Sequence, residues 1–233
     1  MIVPAYDDRR CLQRYHALRQ EQPGLFVNPV GCPTEILVTA AEIREAQAAV
    51  AVERRTAGMA TVDLRVGVLA EDPFIGHVIR DAVRFSDGRY GLYNRVVVGG
   101  GVLVLPILVG AVALVHIFRH ASRRWFYEAP QGLVSRGADA VDDARRELIE
   151  ETGAYPTEMI PLGTVHTSPP LATEALHVFA ARIAAPGAPQ RSEGIDRIRI
   201  VPNGEIDKLV LDGTICDGST TTALMRARIR GLL

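Results

Sequence analysis

Four acidic residues recur at spacings of three and four in the second half of the chain. They are Asp143, Glu147, Glu150 and Glu151, and on a helix this spacing places their side chains on one shared face. Like charges so close together repel each other, so the face needs solvent or a counter-charge. Mg²⁺ is a suitable counter-charge because it prefers oxygen ligands. The spacing alone indicates either a magnesium site or a solvated acidic helix face.

The helix that must position these residues has recognisable ends. Asp139 can cap its first turn, and Gly153 stands where a left-handed residue ends many helices. Apolar residues recur between them at helical spacing and predict a buried stripe: Val141, Ala144 and Leu148. We therefore predict a helix over about 139–152 that buries this stripe and turns its acidic face to solvent.

The wider stretch GLVSRGADAVDDARRELIEETGA, residues 132–154, resembles the Nudix box. That box is a Gly, five residues, Glu, seven residues, Arg-Glu, an apolar residue, any residue, Glu-Glu, any residue, Gly and an apolar residue. The matching positions are Gly132, Arg146, Glu147, Leu148, Glu150, Glu151, Gly153 and Ala154.

Ala138 is the mismatch, because it stands where the box has its first Glu. In the family that Glu holds the loop and the helix together by pairing with the box Arg. The mismatch leaves two alternatives open. Either Asp139 replaces the Glu from one residue along, or the domain is a degenerate copy without activity.

The resemblance extends to both sides of the box, over about 96–230. Before it, Phe118-Arg119 and the stretch EAPQG (128–132) are similar to the end of a strand and the entry to the box in ADP-ribose pyrophosphatases. After it, TVHTSPPLATEALHVFAAR and the C-terminal stretch resemble further segments of the same enzymes. Residues 1–60 are not covered.

The resemblance implies a metal site on the box helix. The backbone carbonyl of Gln131 and the carboxylates of Glu147, Glu150 and Glu151 would bind Mg²⁺, or Mn²⁺ in its place. The metal would neutralise a diphosphate and hold its attacking and leaving oxygens.

The resemblance also implies residues for substrate binding and for water activation. Arg119 would contact the diphosphate, and Glu128 would lie near the substrate or the metals. The base would be Glu193 on a loop after the box or, second, Glu150. Arg119 as a structural ion-pair partner and Glu193 as a surface residue stay open as alternatives.

Other motifs give weaker signals. His116 and His120 would form a metal pair only on a helix, and on a strand they lie about 13 Å apart. Arg123-Arg124-Trp125 has no wider basic surface around it, which argues against nucleic-acid binding. Gly99–Gly101 fits neither a dinucleotide fingerprint nor a phosphate-binding loop.

The fold class that we expect is α+β, a Nudix three-layer α/β/α sandwich with a mixed β-sheet, preceded by a helical and β N-terminal region. Residues 1–60 would be a helical extension, with a capping box at Thr39 and Glu42, and residues 61–233 would be the Nudix domain, including its N-terminal strands. Residues 96–115 carry no charge, but their glycines and valines favour a buried hairpin over a membrane span.

Composition limits the classes of function. Among 233 residues, 48% are hydrophobic and 23% charged, and the net charge of -1 gives no basic excess for a nucleic-acid partner. Three widely spaced cysteines and a charged N-terminus without a signal peptide favour the cytoplasm. The resemblance to ADP-ribose pyrophosphatases also implies that the protein forms a homodimer.

The activity implied is magnesium-dependent hydrolysis of the diphosphate bond in ADP-ribose or an ADP-sugar, giving AMP and a sugar phosphate. Two alternatives remain. One is the same reaction on NAD, a GDP-sugar or a dinucleoside polyphosphate. The other is a catalytically silent Nudix module that senses a nucleotide or binds a protein.

Overall fold

The structure is a computed structural model that describes residues 8–60, 63–135, 137–188 and 194–233. Its helices are α1 (Asp8–Glu21), α2 (Ala40–Thr56), α3 (Ala140–Thr152), α4 (Ile206–Leu211) and α5 (Gly218–Ile229). Its strands are β1 (Thr34–Leu37), β2 (Gly67–Asp72), β3 (Gly76–Phe85), β4 (Tyr90–Val97), β5 (Gly101–Leu108), β6 (Ala111–Arg119), β7 (Arg124–Glu128), β8 (Gln131–Leu133), β9 (Pro156–Val165), β10 (Leu176–Ile183) and β11 (Ile195–Pro202).

Contacts divide the chain into two compact units. The first comprises Met1–Val98 with Pro170–Thr173, and the second comprises Gly99–Pro169 with Glu174–Leu233. This boundary lies after Val98 and not after residue 60. The division into 1–60 and 61–233 stays a prediction about segments of the sequence.

The first unit is an antiparallel sheet in which β3 pairs with β1, β2 and β4, and it is packed against α1 and α2. The capping box is confirmed, since the Thr39 hydroxyl accepts the Glu42 N–H and the Glu42 carboxylate accepts the Thr39 N–H. Residues 1–60 are not wholly helical, because Thr34–Leu37 pairs with the end of β3. A strand of four residues is too short for its alternation to stand out from the sequence.

A buried polar network holds α1 on this sheet. The Tyr15 hydroxyl donates to Asp81 at 2.5 Å, and Arg95 Nε donates to the other carboxylate oxygen at 2.6 Å. Burial and the neighbouring carboxylate raise the pKa of Tyr15 far above its usual range. Tyr15 therefore acts as a hydrogen-bond donor to a buried ion pair.

The second unit is a mixed sheet with the order β11-β6-β5-β10-β9, in which β7 is added to β6 and β8 to β5. β5 and β10 run parallel. Successive residues of β5 face opposite ways: Val102 and Val104 pack with α3, whereas Leu103 and Leu105 pack with α4 and α5. Helices thus cover both faces, which confirms the expected three-layer fold.

The uncharged stretch forms the predicted hairpin, with β5 and β6 joined at Val109 and Gly110. Gly110 has a φ of +72°, a conformation that favours glycine. Among the described residues, no helix is long and apolar enough to cross a membrane.

Candidate active site

The box helix α3 has the predicted ends. The Asp139 side chain accepts the N–H of Val141, and Gly153 ends the helix in the left-handed conformation with a φ of +64°. Ala144 and Leu148 are fully buried against the sheet. The helix is therefore fixed at both ends and along one side, which positions its polar residues.

We expected the acidic face of α3 to be turned to solvent, and this expectation was wrong. Asp143, Glu147 and Glu151 are buried, and Glu150 is half-buried. Helical spacing shows which residues share a face but does not show what covers that face. Here the polypeptide before the helix covers part of it, since Ser135 binds Asp143 and Gly132 lies against Glu147.

Arg146 supplies the counter-charge that the acidic face requires. Its Nη1 lies 2.7 Å from Glu147 Oε1 and 3.1 Å from Glu150 Oε2, and its Nη2 lies 3.1 Å from Asp143 Oδ1. Burial opposes the charge of Arg146, but these carboxylates outweigh it and raise the pKa of Arg146. The guanidinium therefore stays charged and holds three of the four acidic residues.

Glycine at position 132 allows Glu147 to reach the loop. A Cβ on Gly132 would overlap the Glu147 carboxylate more closely than real Cβ atoms approach other atoms. The carboxylate therefore lies against the backbone next to Gln131. An open cleft of about 420 Å³ is formed here between residues 131–135 and α3, and Arg146 and Glu147 line it.

A second group of predicted residues meets at the ends of β6 and β7. Arg119 donates to Glu128 Oε2 through Nε at 2.9 Å and Nη2 at 2.6 Å, and Gln131 Nε2 donates to the same oxygen at 2.7 Å. Burial opposes the charge of Arg119, but Glu128, with smaller contributions from Glu151 and Asp217, raises the pKa of Arg119. Glu151, a carboxylate of α3, therefore lies near enough to Arg119 to favour its charged form.

The residues fit Mg²⁺ by donor chemistry. In the described parts of the chain, no three His, Cys, Asp or Glu side chains are grouped closely enough to hold a metal by themselves. Magnesium sites commonly use only one or two carboxylates and complete an octahedron with waters and substrate phosphates. The hard oxygens of Glu147, Glu150, Glu151 and the Gln131 carbonyl suit such an open site.

Sequence reasoning overlooked the role of Asp143. This carboxylate accepts the N–H and the hydroxyl of Ser135, each at 2.8 Å, in addition to Arg146. These hydrogen bonds lower the pKa of Asp143, although burial opposes them. Asp139, the expected replacement for the missing box Glu, caps the helix instead. The spacing of three between Asp143 and Arg146 was the available signal.

Glu193 falls outside the described residues. His116 stands on β6, with Nδ1 2.7 Å from Asp196 and its ring stacked on Trp125. A larger cleft of about 500 Å³ in the first unit is lined by none of the predicted site residues.

Comparisons with known proteins agree with the family and the fold. Residues 99–219 match the model of the NUDIX domain family. The chain is 32% identical to an ADP-ribose pyrophosphatase of Bacillus subtilis (strain 168) over 118 residues, 49% of this chain and 64% of that protein. It therefore spans slightly less than two thirds of that relative.

A second relative aligns over more of the chain. This is a GDP-mannose pyrophosphatase of Cronobacter sakazakii, 28% identical over 181 residues, 71% of this chain and 94% of that protein. The crystal structure of an ADP compounds hydrolase superposes with a TM-score of 0.63 at 18% identity, over 71% of this chain and 93% of that one. At this identity the superposition supports the fold alone.

Proposed function

The chain belongs to the NUDIX family, and from this we propose that it hydrolyses the diphosphate bond of a nucleoside diphosphate sugar with the help of Mg²⁺. ADP-ribose or an ADP-sugar is the first choice of substrate, and the products would be AMP and a sugar phosphate. The observation that carries the proposal is the close approach of buried Glu147 to Gly132. It places a box carboxylate beside the Gln131 backbone, in a cleft that is open to ligand.

The names of the relatives support this substrate class. One relative is called an ADP-ribose pyrophosphatase and the other a GDP-mannose pyrophosphatase. Both names describe a nucleoside diphosphate linked to a sugar. Because the second alignment covers more of both chains, a GDP-sugar is the alternative substrate that has a specific observation in its favour.

Glu147, Glu150, Glu151 and the Gln131 carbonyl would hold the metal. When bound, Mg²⁺ neutralises phosphate charge and makes the diphosphate more open to attack. Glu147 and Glu150 already share Arg146, so an entering cation would compete with or add to that guanidinium. Burial restricts the positions that Glu147 and Glu151 can take, which favours a defined arrangement of oxygen donors.

Arg119 would bind the diphosphate. Two of its nitrogens donate to Glu128, and Nη1 is the nitrogen that takes no part in that pair. Glu128 is buried and fixes the guanidinium plane, so that a charged donor is oriented before substrate arrives. We propose Glu128 as a residue that positions Arg119 close to the substrate.

The proton of the attacking water would go to a glutamate. Glu193 remains our first choice of base and Glu150 the second. The two assignments give opposite expectations. If Glu193 is the base, Glu193→Gln lowers kcat by about a hundredfold or more while magnesium affinity is retained. If Glu150 is the base, Glu193→Gln instead leaves kcat within a few fold of wild type.

A substrate panel tests the proposal. The purified protein is incubated with Mg²⁺ and ADP-ribose, ADP-glucose, GDP-mannose, NAD or a dinucleoside polyphosphate, and released AMP or GMP is measured. We expect turnover of at least one nucleoside diphosphate sugar that stops when EDTA removes the metal. No turnover of any panel member would contradict the proposal and favour a silent module.

The homodimer implied by the resemblance also stays a prediction, which light scattering can test.

A further inference from the structure

Asp143 links the loop before α3 to the helix itself. Ser135 donates to it twice, from its backbone N–H to Oδ2 and from its hydroxyl to Oδ1, both at 2.8 Å. Asp143 is only 3% exposed. A buried carboxylate is stable only when hydrogen bonds or opposite charges satisfy it, and the loop provides two of those bonds.

The same carboxylate also orients Arg146. Oδ1 of Asp143 accepts Nη2 of Arg146 at 3.1 Å, while Nη1 of Arg146 lies against Glu147 and Glu150. A guanidinium is a planar fork, so fixing one end of it fixes the direction of the other nitrogens. A continuous series of polar contacts therefore runs from Ser135 through Asp143 and Arg146 to two of the proposed metal ligands.

Ala138 belongs to the same region. Its N–H donates to the carbonyl of Ser135 at 3.1 Å, so the two residues form one turn at the start of α3. The alanine side chain cannot accept a hydrogen bond. The Nudix box has a glutamate at this position, and that partner for Arg146 is absent here. Arg146 is paired instead with Asp143, a carboxylate of α3 that also binds Ser135.

We propose that Asp143 is the positioning residue that replaces the missing carboxylate of position 138. It holds the loop 132–135 against α3 and orients Arg146, and through Arg146 it positions Glu147 and Glu150. The inference rests on the proposed function for its kinetic consequence. Its structural part, the attachment of the loop to Asp143, can be measured without any substrate.

The kinetic test compares Asp143→Ala, Ala138→Glu and the double variant on the best substrate of the panel. Loss of a residue that orients metal ligands commonly costs about tenfold to a hundredfold in activity, and we expect this loss in kcat for Asp143→Ala, with KM changed less. Ala138→Glu alone should stay within a few fold of wild type, because Arg146 already has Asp143. In the double variant the new glutamate should restore most of the lost kcat.

A neighbouring carboxylate provides the matched control. Asp142 is exposed and pairs with Arg145, at 2.8 Å, outside the series of contacts described above. Asp142→Ala removes the same charge from the same turn of α3 and should leave kcat unchanged within about twofold, as expected for an exposed ion pair. A loss equal to that of Asp143→Ala would mean that helix charge alone explains the effect.

The substrate-independent test is hydrogen exchange at the Ser135 amide. This N–H should be protected in the wild type and in Asp142→Ala, and should exchange faster in Asp143→Ala because its acceptor is removed. If Asp143→Ala does not fold, Asp143→Asn takes its place in the kinetic assay, where we expect the same fall in kcat because the charge that pairs with Arg146 is lost. It is not used for hydrogen exchange, because its remaining oxygen can still accept the Ser135 N–H.

The outcomes separate the two hypotheses. Full kcat and full Ser135 protection in an Asp143 variant would overturn the inference and leave the proposed function intact. A slow Asp143→Ala that Ala138→Glu fails to rescue would overturn the replacement of position 138. A wild type inert on every nucleotide, with Ser135 protection lost in Asp143→Ala, would overturn the proposed function while supporting the structural role of Asp143.

Discussion

Arg119 and Glu128 form a pair in which one oxygen of the buried carboxylate accepts two hydrogen bonds from the half-buried guanidinium, at 2.9 Å from Nε and 2.6 Å from Nη2. Gln131 Nε2 donates to that oxygen as well, at 2.7 Å. The end of β6, the end of β7 and the start of β8 are thereby joined at one atom. A sequence pattern can indicate each residue but cannot indicate that they share this acceptor.

The first prediction concerns Arg119. Arg119→Ala should lower kcat/KM by about a hundredfold, because it removes a charged donor from the proposed diphosphate site. It should also lower the free energy of unfolding by about 1–3 kcal/mol, because Glu128 stays buried with fewer donors. Arg119→Lys should recover only part of the activity, since lysine keeps the charge without the fork.

Arg124 is the control for this change. It lies directly opposite Arg119 in the β6 and β7 register and is exposed. Arg124→Ala should keep kcat/KM within a few fold of wild type, as expected for an exposed charge. Equal losses in the two variants, measured by initial rates and urea denaturation, would show that Arg119 acts only through the local charge.

The second prediction concerns the space beside Glu147. Gly132→Ala should displace the Glu147 carboxylate, because the added methyl group and the carboxylate cannot occupy the same position. We expect kcat to fall by about tenfold or more, as for other changes that shift a metal ligand. Gly99→Ala is the matched control, because nothing in the described structure lies within 4 Å of its added Cβ. Wild-type kcat in Gly132→Ala would refute the proposed position of Glu147.

The third prediction concerns pH and the first unit. Glu71 accepts hydrogen bonds from Arg14 at 2.8 and 3.0 Å and lies 2.9 Å from His77 Nε2. Hydrogen bonding from Arg14, with support from His77, lowers the pKa of Glu71 from 4.5 to about 2, although burial opposes the shift. Because the pKa is lower in the folded state, the stabilisation is complete above about pH 4.5 and is lost as the pH falls towards 2.

Glu71→Gln tests this pH dependence. The pair is more than one third exposed on the glutamate side, so solvent screening limits the loss at pH 7 to roughly 1 kcal/mol. Urea denaturation should show a smaller difference between variant and wild type at pH 3 than at pH 7. A difference that stays constant, or that grows in acid, would contradict the assignment.

The sequence predicted α3 well because the helix is long, carries a regular apolar stripe and has a capping residue at each end. It could not predict β7, β8 or α4, which have five, three and six residues and therefore show too little periodicity. The sequence also could not predict that the acidic face of α3 is largely buried. Burial of Asp143 and Glu147 depends on the path of residues 131–135, which local spacing does not encode.

The replacement of the missing box Glu illustrates a different limit. Asp139 and Asp143 are both acidic residues that precede Arg146 in the sequence, and Asp139 was the expected replacement because it is adjacent to position 138. The helix N-terminus has unsatisfied N–H groups, however, and Asp139 satisfies one of them at Val141. The carboxylate one turn further on, Asp143, pairs with Arg146.

The most direct test of the account is the rate of magnesium-dependent nucleotide release by Glu151→Gln, measured on ADP-ribose or on the best substrate of the panel. Glutamine keeps the shape of this buried side chain but removes its charge, so kcat should fall by at least about a hundredfold while the protein stays folded. Asp142→Asn, a change of the same kind on the exposed side of α3, should retain wild-type kcat. Glu151→Gln activity within a few fold of wild type would contradict the assignment of the α3 carboxylates as the centre of diphosphate hydrolysis.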